Sequence, residues 1–131
     1  MARTPTYLFA TSLGTTSSCL NTAMPDPTPD KHAEAREELE RSVLTGEASV
    51  PAEARALAFA RPGALDGAIG SYCAKVAADA TTVTDDDVAA LHAGGLDDAR
   101  IFEFTVAAAV GQASRQLNSA LRALDAARER A

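Results

Sequence analysis

Apolar residues recur along this chain at helical spacing, and no stretch alternates at the two-residue period of a strand. Ala35, Leu39 and Val43 fall at i, i+4 and i+8, one stripe of a helix placed from Lys31 to about Leu44. Glu37 and Arg41, four residues apart, are expected to pair on another face, and Gly46 to end the helix. Pro51 opens a second helix to about residue 60, because proline in a first turn lacks only an N–H that would have no partner there. Leu57 and Phe59 are its larger apolar residues. Pro62 breaks that helix and is expected to open a third, running to about Asp79. Leu65, Ile69, Tyr72 and Val76 make its buried stripe, flanked by Ala68 and Cys73.

Thr81 to Val83 reads as a short connector. Thr84 and Asp87 then have the spacing of a capping box, in which each side chain satisfies the other's backbone amide. They start a short helix with Val88 and Leu91 inward, closed by Gly94 and Gly95. Asp97 caps the last helix, expected from Asp98 to near Arg128. Between Ile101 and Gly111 only Glu103 and Thr105 are polar, which predicts burial on most sides. Past Gln112 the helix turns amphipathic through Leu117, Leu121 and Leu124. The pattern predicts an all-α protein: a small domain of about five helices, residues 31–131, with a long buried C-terminal helix.

Composition agrees with this picture. The chain has 131 residues, enough for one domain, and 47% of them are hydrophobic. Aromatics are 5%, Trp is absent, and 30 residues are alanine, the strongest helix former. Alanines and aliphatics must therefore do most of the packing. The formal charge is −6, there are only two lysines, and the arginines are scattered. With no basic stripe, nucleic acid is not an expected partner. No run approaches the ~20 apolar residues of a membrane span. Two cysteines, Cys19 and Cys73, lie far apart and make no disulfide framework. Reduced thiols and a cytoplasmic location are the expectation.

Residues 1–30 differ from the rest. They are rich in Thr, Ser and Pro, hold Arg3 as the one charge before Asp26, and end in prolines at 25, 27 and 29. Alternate prolines forbid helix and favour an extended linker. The apolar patch Tyr7–Ala10 is short for a secretory signal, and Thr16-Ser17-Ser18 ahead of Cys19 lacks the leucine of a lipoprotein box. Disorder, or a translation start at Met24, is favoured over a weak export signal.

The stretch from Val83 to Glu103 has a distinctive order: short helix, glycine stop, acidic cap, then Ile101-Phe102-Glu103 opening a long alanine-rich helix that carries Arg115. It resembles the carboxymuconolactone decarboxylase and alkylhydroperoxidase D-like family over roughly residues 64–124. The resemblance implies an all-α, oligomeric protein in which Arg115 matches an arginine of the family. The peroxidase members use a Cys-x-x-Cys-x-x-x-His motif; the decarboxylase members use other residues. Here Cys73 is followed by Ala74, Lys75 and Val76, and position 77 is alanine rather than histidine. The family's catalytic residues therefore do not carry over, and only scaffold positions match.

Candidate chemistry is sparse. Cys73 as a lone peroxidatic thiol would need a nearby cation or a helix N-terminus, and a small buried hydrophobe is the favoured reading. Asp85, Asp86 and Asp87 are consecutive, point different ways and suit the helix dipole better than a cation. His32 and His92 lack a ligand cluster, so no metal is expected. Glu103 and Arg115 sit on the long apolar helix about three turns apart. Each is expected to pair with another helix or subunit, as a structural bridge rather than a polar anchor in a ligand pocket. The expected function is a divergent, non-catalytic member of the family. It would act as a homo-oligomeric helical scaffold, or bind a partner or small apolar ligand, without a cofactor. The alternative is a thiol peroxidase or decarboxylase-like enzyme using other residues.

Overall fold

The computed structural model describes residues 30–131; the expectations for residues 1–29, including Cys19 and Met24, lie outside them. The described residues are helical without a strand, and residues 32–131 make one compact unit. The helices are α1 (Lys31–Thr45), α2 (Ala52–Ala60), α3 (Gly67–Asp79), α4 (Asp85–Ala93) and α5 (Asp98–Arg130). Short 3-10 turns occupy Pro62–Ala64 and Ala80–Thr82. The helix pattern of an all-α chain with a long C-terminal helix is therefore as the sequence predicts.

Two boundaries follow from local chemistry alone. The Thr84 side chain accepts the Asp87 amide while the Asp87 carboxylate accepts the Thr84 amide, a complete capping box. Asp97 caps α5 by accepting the Arg100 amide at 2.9 Å. Between them Gly95 has φ 94°, a left-handed turn that glycine enters without strain.

α5 is the spine. It packs most extensively on α2 and next on α3. Its buried residues are Ile101, Phe104, Ala107, Ala108, Gly111 and Ser114. They join Val50, Ala58, Tyr72, Cys73 and Leu91 in the core. Gly111 sets how closely α2 approaches: a Cβ there would lie 2.0 Å from the Phe59 carbonyl oxygen. Small side chains at 107, 108 and 111 thus replace the missing aromatics by letting backbones come together.

Five expectations are corrected. The third helix does not begin at Pro62. Pro62–Ala64 forms one 3-10 turn, the chain extends at Leu65 and Asp66, and Gly67 starts α3 at φ 71°. Ala68 is exposed rather than part of the stripe. In α1, Ala35 and Leu39 face outward, and the half-buried positions are Ala33, Arg36, Glu40, Val43 and Leu44. α1 buries no residue fully, so its few apolar positions do not dictate which face packs. Arg41 pairs with Glu38, not Glu37. Lastly, burial on α5 is one-sided and ends at its middle. Phe102 is 67% exposed, and no residue from Arg115 to Ala131 is fully buried. Four short helices cannot surround a spine about 50 Å long.

Candidate functional site

The polar side chains singled out on α5 meet at neither a pocket nor each other. They bracket α2. The Glu103 carboxylate accepts the backbone amides of Ser49 and Val50 at 3.0 and 2.7 Å, the two residues just before Pro51. This is the N-terminal approach to α2, where the helix supplies no side-chain cap of its own. Those two amides, helped by the charge of Arg55, hold the Glu103 carboxyl below its usual range. At the other end Arg115 donates to the Phe59 carbonyl, to the Ala60 carbonyl at 3.2 Å, and to Gln112 at 2.9 Å. A carboxylate thus meets the positive end of the α2 dipole and a guanidinium its negative end. Glu103 thus bonds the turn ahead of α2 and Arg115 the end of α2, and the groups they meet across the fold are backbone amides and carbonyls rather than opposite charges.

Arg55 is the residue that sequence reasoning missed. It is 6% exposed, and it donates to the carbonyls of Val50 at 3.1 Å and Val43 at 2.7 Å. It ties the end of α1 to the start of α2. A single arginine among the alanines of α2 was the available signal, by the same logic that singled out Arg115. Ser114 supplies a second tie, donating to Glu40 of α1 at 2.6 Å.

A cleft of about 180 Å³ opens beside these groups, lined by Val43, Glu47, Arg55, Phe102, Glu103 and Val106 among others. Its buried cation and the Glu103 carboxylate already bond the protein's own backbone. The cleft is therefore an apolar recess with a carboxylate, Glu47, at an exposed position, and it holds no converging acid–base pair.

Cys73 is fully buried, and burial pushes its thiol up to about 11. It is thus a protonated core residue at neutral pH, far from the lowered range of a reactive thiol. Lys75, two residues on, donates to both Asp87 oxygens at 2.9 and 2.8 Å. That bond and the Thr84 amide lower the Asp87 pKa. Asp87 is thus occupied by a cap and a cross-helix ion pair, while Asp85 and Asp86 are exposed in the first turn of α4. His92 sits in the last turn of α4, its ring nitrogens 3.0 Å from the Leu96 carbonyl and 3.1 Å from Asp98. His32 lies in the exposed first turn of α1. Among the described residues no group of three His, Cys, Asp or Glu side chains could hold a metal ion. No helix there is long and apolar enough to cross a membrane.

The most prominent surface feature is the second half of α5. Leu117, Leu121 and Leu124, spaced i, i+4 and i+7, are 41%, 42% and 47% exposed. They lie about a third of a turn round the helix from its buried face, on the side that carries Val106 of the cleft. Compared with known proteins, the chain matches no family model, no curated protein and no solved structure.

Proposed function

We propose that this chain is a non-catalytic helical assembly module, a divergent relative of the alkylhydroperoxidase D-like family. Its working surface is the leucine stripe of α5, and the partner is a second copy of the chain. The observation that carries this reading is the register of Leu117, Leu121 and Leu124. They form one apolar face, flanked by the small residues Ala120 and Ala127 along one edge. Such spacing is that of a helix–helix seam. Arg128 continues the stripe and pairs with Asp125 beside it, so this end of the helix balances its own charge and does not call for a strongly charged partner. The scaffold reading also draws support from the state of the titratable groups. Glu103, Arg115, Arg55 and Asp87 all have architectural partners, and Cys73 is a buried, protonated thiol.

Sedimentation equilibrium of the full chain tests the proposal. Twice the 13.5 kDa chain mass is expected at about 100 µM, since a seam of this size gives a weak interface. Leu121→Glu is expected to shift the protein to monomer with unchanged helical circular dichroism. A wild-type chain that stays monomeric at that concentration overturns the reading.

A further inference from the structure

We infer that the interface between two copies runs along the whole free face of α5, from Phe102 to Leu124, with a two-fold axis at Ala113. Phe102 is its anchor, seated against the partner's Leu124. This inference rests on the pairing proposed above.

The free face repeats every eleven residues. Phe102, Ala113 and Leu124 are eleven apart, as are Val106 and Leu117, and Ala109 and Ala120. Val106 is half-buried and the other six are exposed, Phe102 by 67%. An eleven-residue repeat makes about 3.67 residues per turn, close to the roughly 3.6 of a straight helix. The strip therefore stays on one side of α5 over its full length. α1 reaches α5 at Ser114, about a quarter turn round the helix from Ala113, and leaves Ala113 exposed.

The order of large and small side chains says what covers the strip. Outward from Ala113 the steps are four, three and four residues in both directions. Turning a copy end over end about Ala113 therefore sets Ala109 level with the partner's Leu117, Val106 with the partner's Ala120, and Phe102 with the partner's Leu124. Large meets small in the inner layers. The two Ala113 residues meet at the crossing, where straight helices come closest, and the bulkiest pair lies at the ends, where they diverge. Parallel copies stack like on like instead. Leu117 against the partner's Leu117 then holds the helices apart, and the alanine layers at 109, 113 and 120 leave voids that destabilise the contact. A face that complements itself under a two-fold axis fits a second copy. The match is one of shape, since none of the seven residues is charged.

The longer strip also supplies area. Leu117 to Leu124 spans about 10 Å of helix, and Phe102 to Leu124 about 33 Å. The longer contact approaches the ~800 Å² per partner of a stable interface, and the shorter one falls well below it. The cleft at Phe102 and Val106 gains an occupant, the partner's Leu124.

Two measurements on the full-length protein test the inference. In sedimentation equilibrium, Phe102→Glu is expected to weaken dimerisation by about tenfold or more, with unchanged helical circular dichroism, because Phe102 is mostly exposed in the single chain. Wild-type affinity in this variant, beside dissociation by Leu121→Glu, confines the contact to the leucine stripe. That result overturns the inference and leaves the assembly reading standing. Spin labels on Glu129→Cys, in a chain carrying Cys19→Ser, read the symmetry, and the Cys19→Ser parent is labelled too to set the background from buried Cys73. Glu129 lies 16 residues from Ala113, off the strip. The two-fold arrangement places the labelled sites about 48 Å apart along the seam, and a parallel pair keeps them within about 25 Å. The long distance is expected, and the short one overturns the two-fold axis at Ala113. A wild-type chain that stays monomeric removes both the inference and the reading beneath it.

Discussion

Glu103 shows how a charged residue on an apolar helix can be architectural. Its two oxygens hold the turn ahead of α2, and Arg55 behind that turn holds the end of α1. Removing the carboxylate leaves two amides without their acceptor. Glu103→Ala is expected to cost about 1–2 kcal/mol in chemical denaturation, the range of a lost helix cap. The sign of the pH effect follows from the lowered folded pKa. The contribution is present above the unfolded carboxyl value of about 4.3 and is lost as pH falls through the folded value. The alanine variant should therefore lose less stability than wild type on acidification below about pH 4.5. Parallel acid limbs would count against this role. Cys73 gives a second prediction at this scale. With Cys19→Ser as background, alkylation of the folded protein at pH 7 is expected to be negligible and to become fast only on unfolding. Fast reaction with a midpoint below the usual thiol value of about 8.5 would instead revive thiol chemistry.

At the scale of elements, α2 is held at both ends by α5 and pressed onto it in the middle. Glu103 and Arg115 are twelve residues apart, about 18 Å of helix, enough to straddle the nine residues of α2. Gly111 lies beneath the same Phe59 carbonyl that Arg115 bonds. Gly111→Ala is therefore expected to destabilise the protein by about 2 kcal/mol, although alanine favours isolated helix by about 1 kcal/mol. The clash is with backbone, so no side-chain rotation relieves it. A melting temperature equal to or above wild type would show that α2 moves aside freely. The element boundaries that were legible in the sequence are those set within four residues, such as Thr84 with Asp87 and Asp97 with Arg100. The start of α3 was not legible. A proline after a helix fits either a new helix or a 3-10 turn, and Gly70, packed against the Leu65 carbonyl, decides for the latter only in context.

At the scale of the whole molecule, a domain this small must leave part of a 33-residue helix uncovered. Exposure of Leu117, Leu121 and Leu124 is the consequence, and the proposed self-association covers it. The amino-acid order by itself determined the all-α class, the succession of five helices, the caps of α4 and α5, and the absence of a cysteine-pair motif. These depend on local hydrogen bonding and on periodicity, which act over a few residues. Tertiary structure alone decided the face by which α1 attaches, the end of burial along α5, and the partners of Glu103, Arg115 and Arg55. Each of these partners is a backbone group more than ten residues away, except the Val50 carbonyl and Gln112. Backbone amides and carbonyls occur at every position and leave no mark in the sequence. An oppositely charged side chain would have been visible as a candidate; a helix end presented across the core becomes a partner only when the packing of α2 on α5 brings it there.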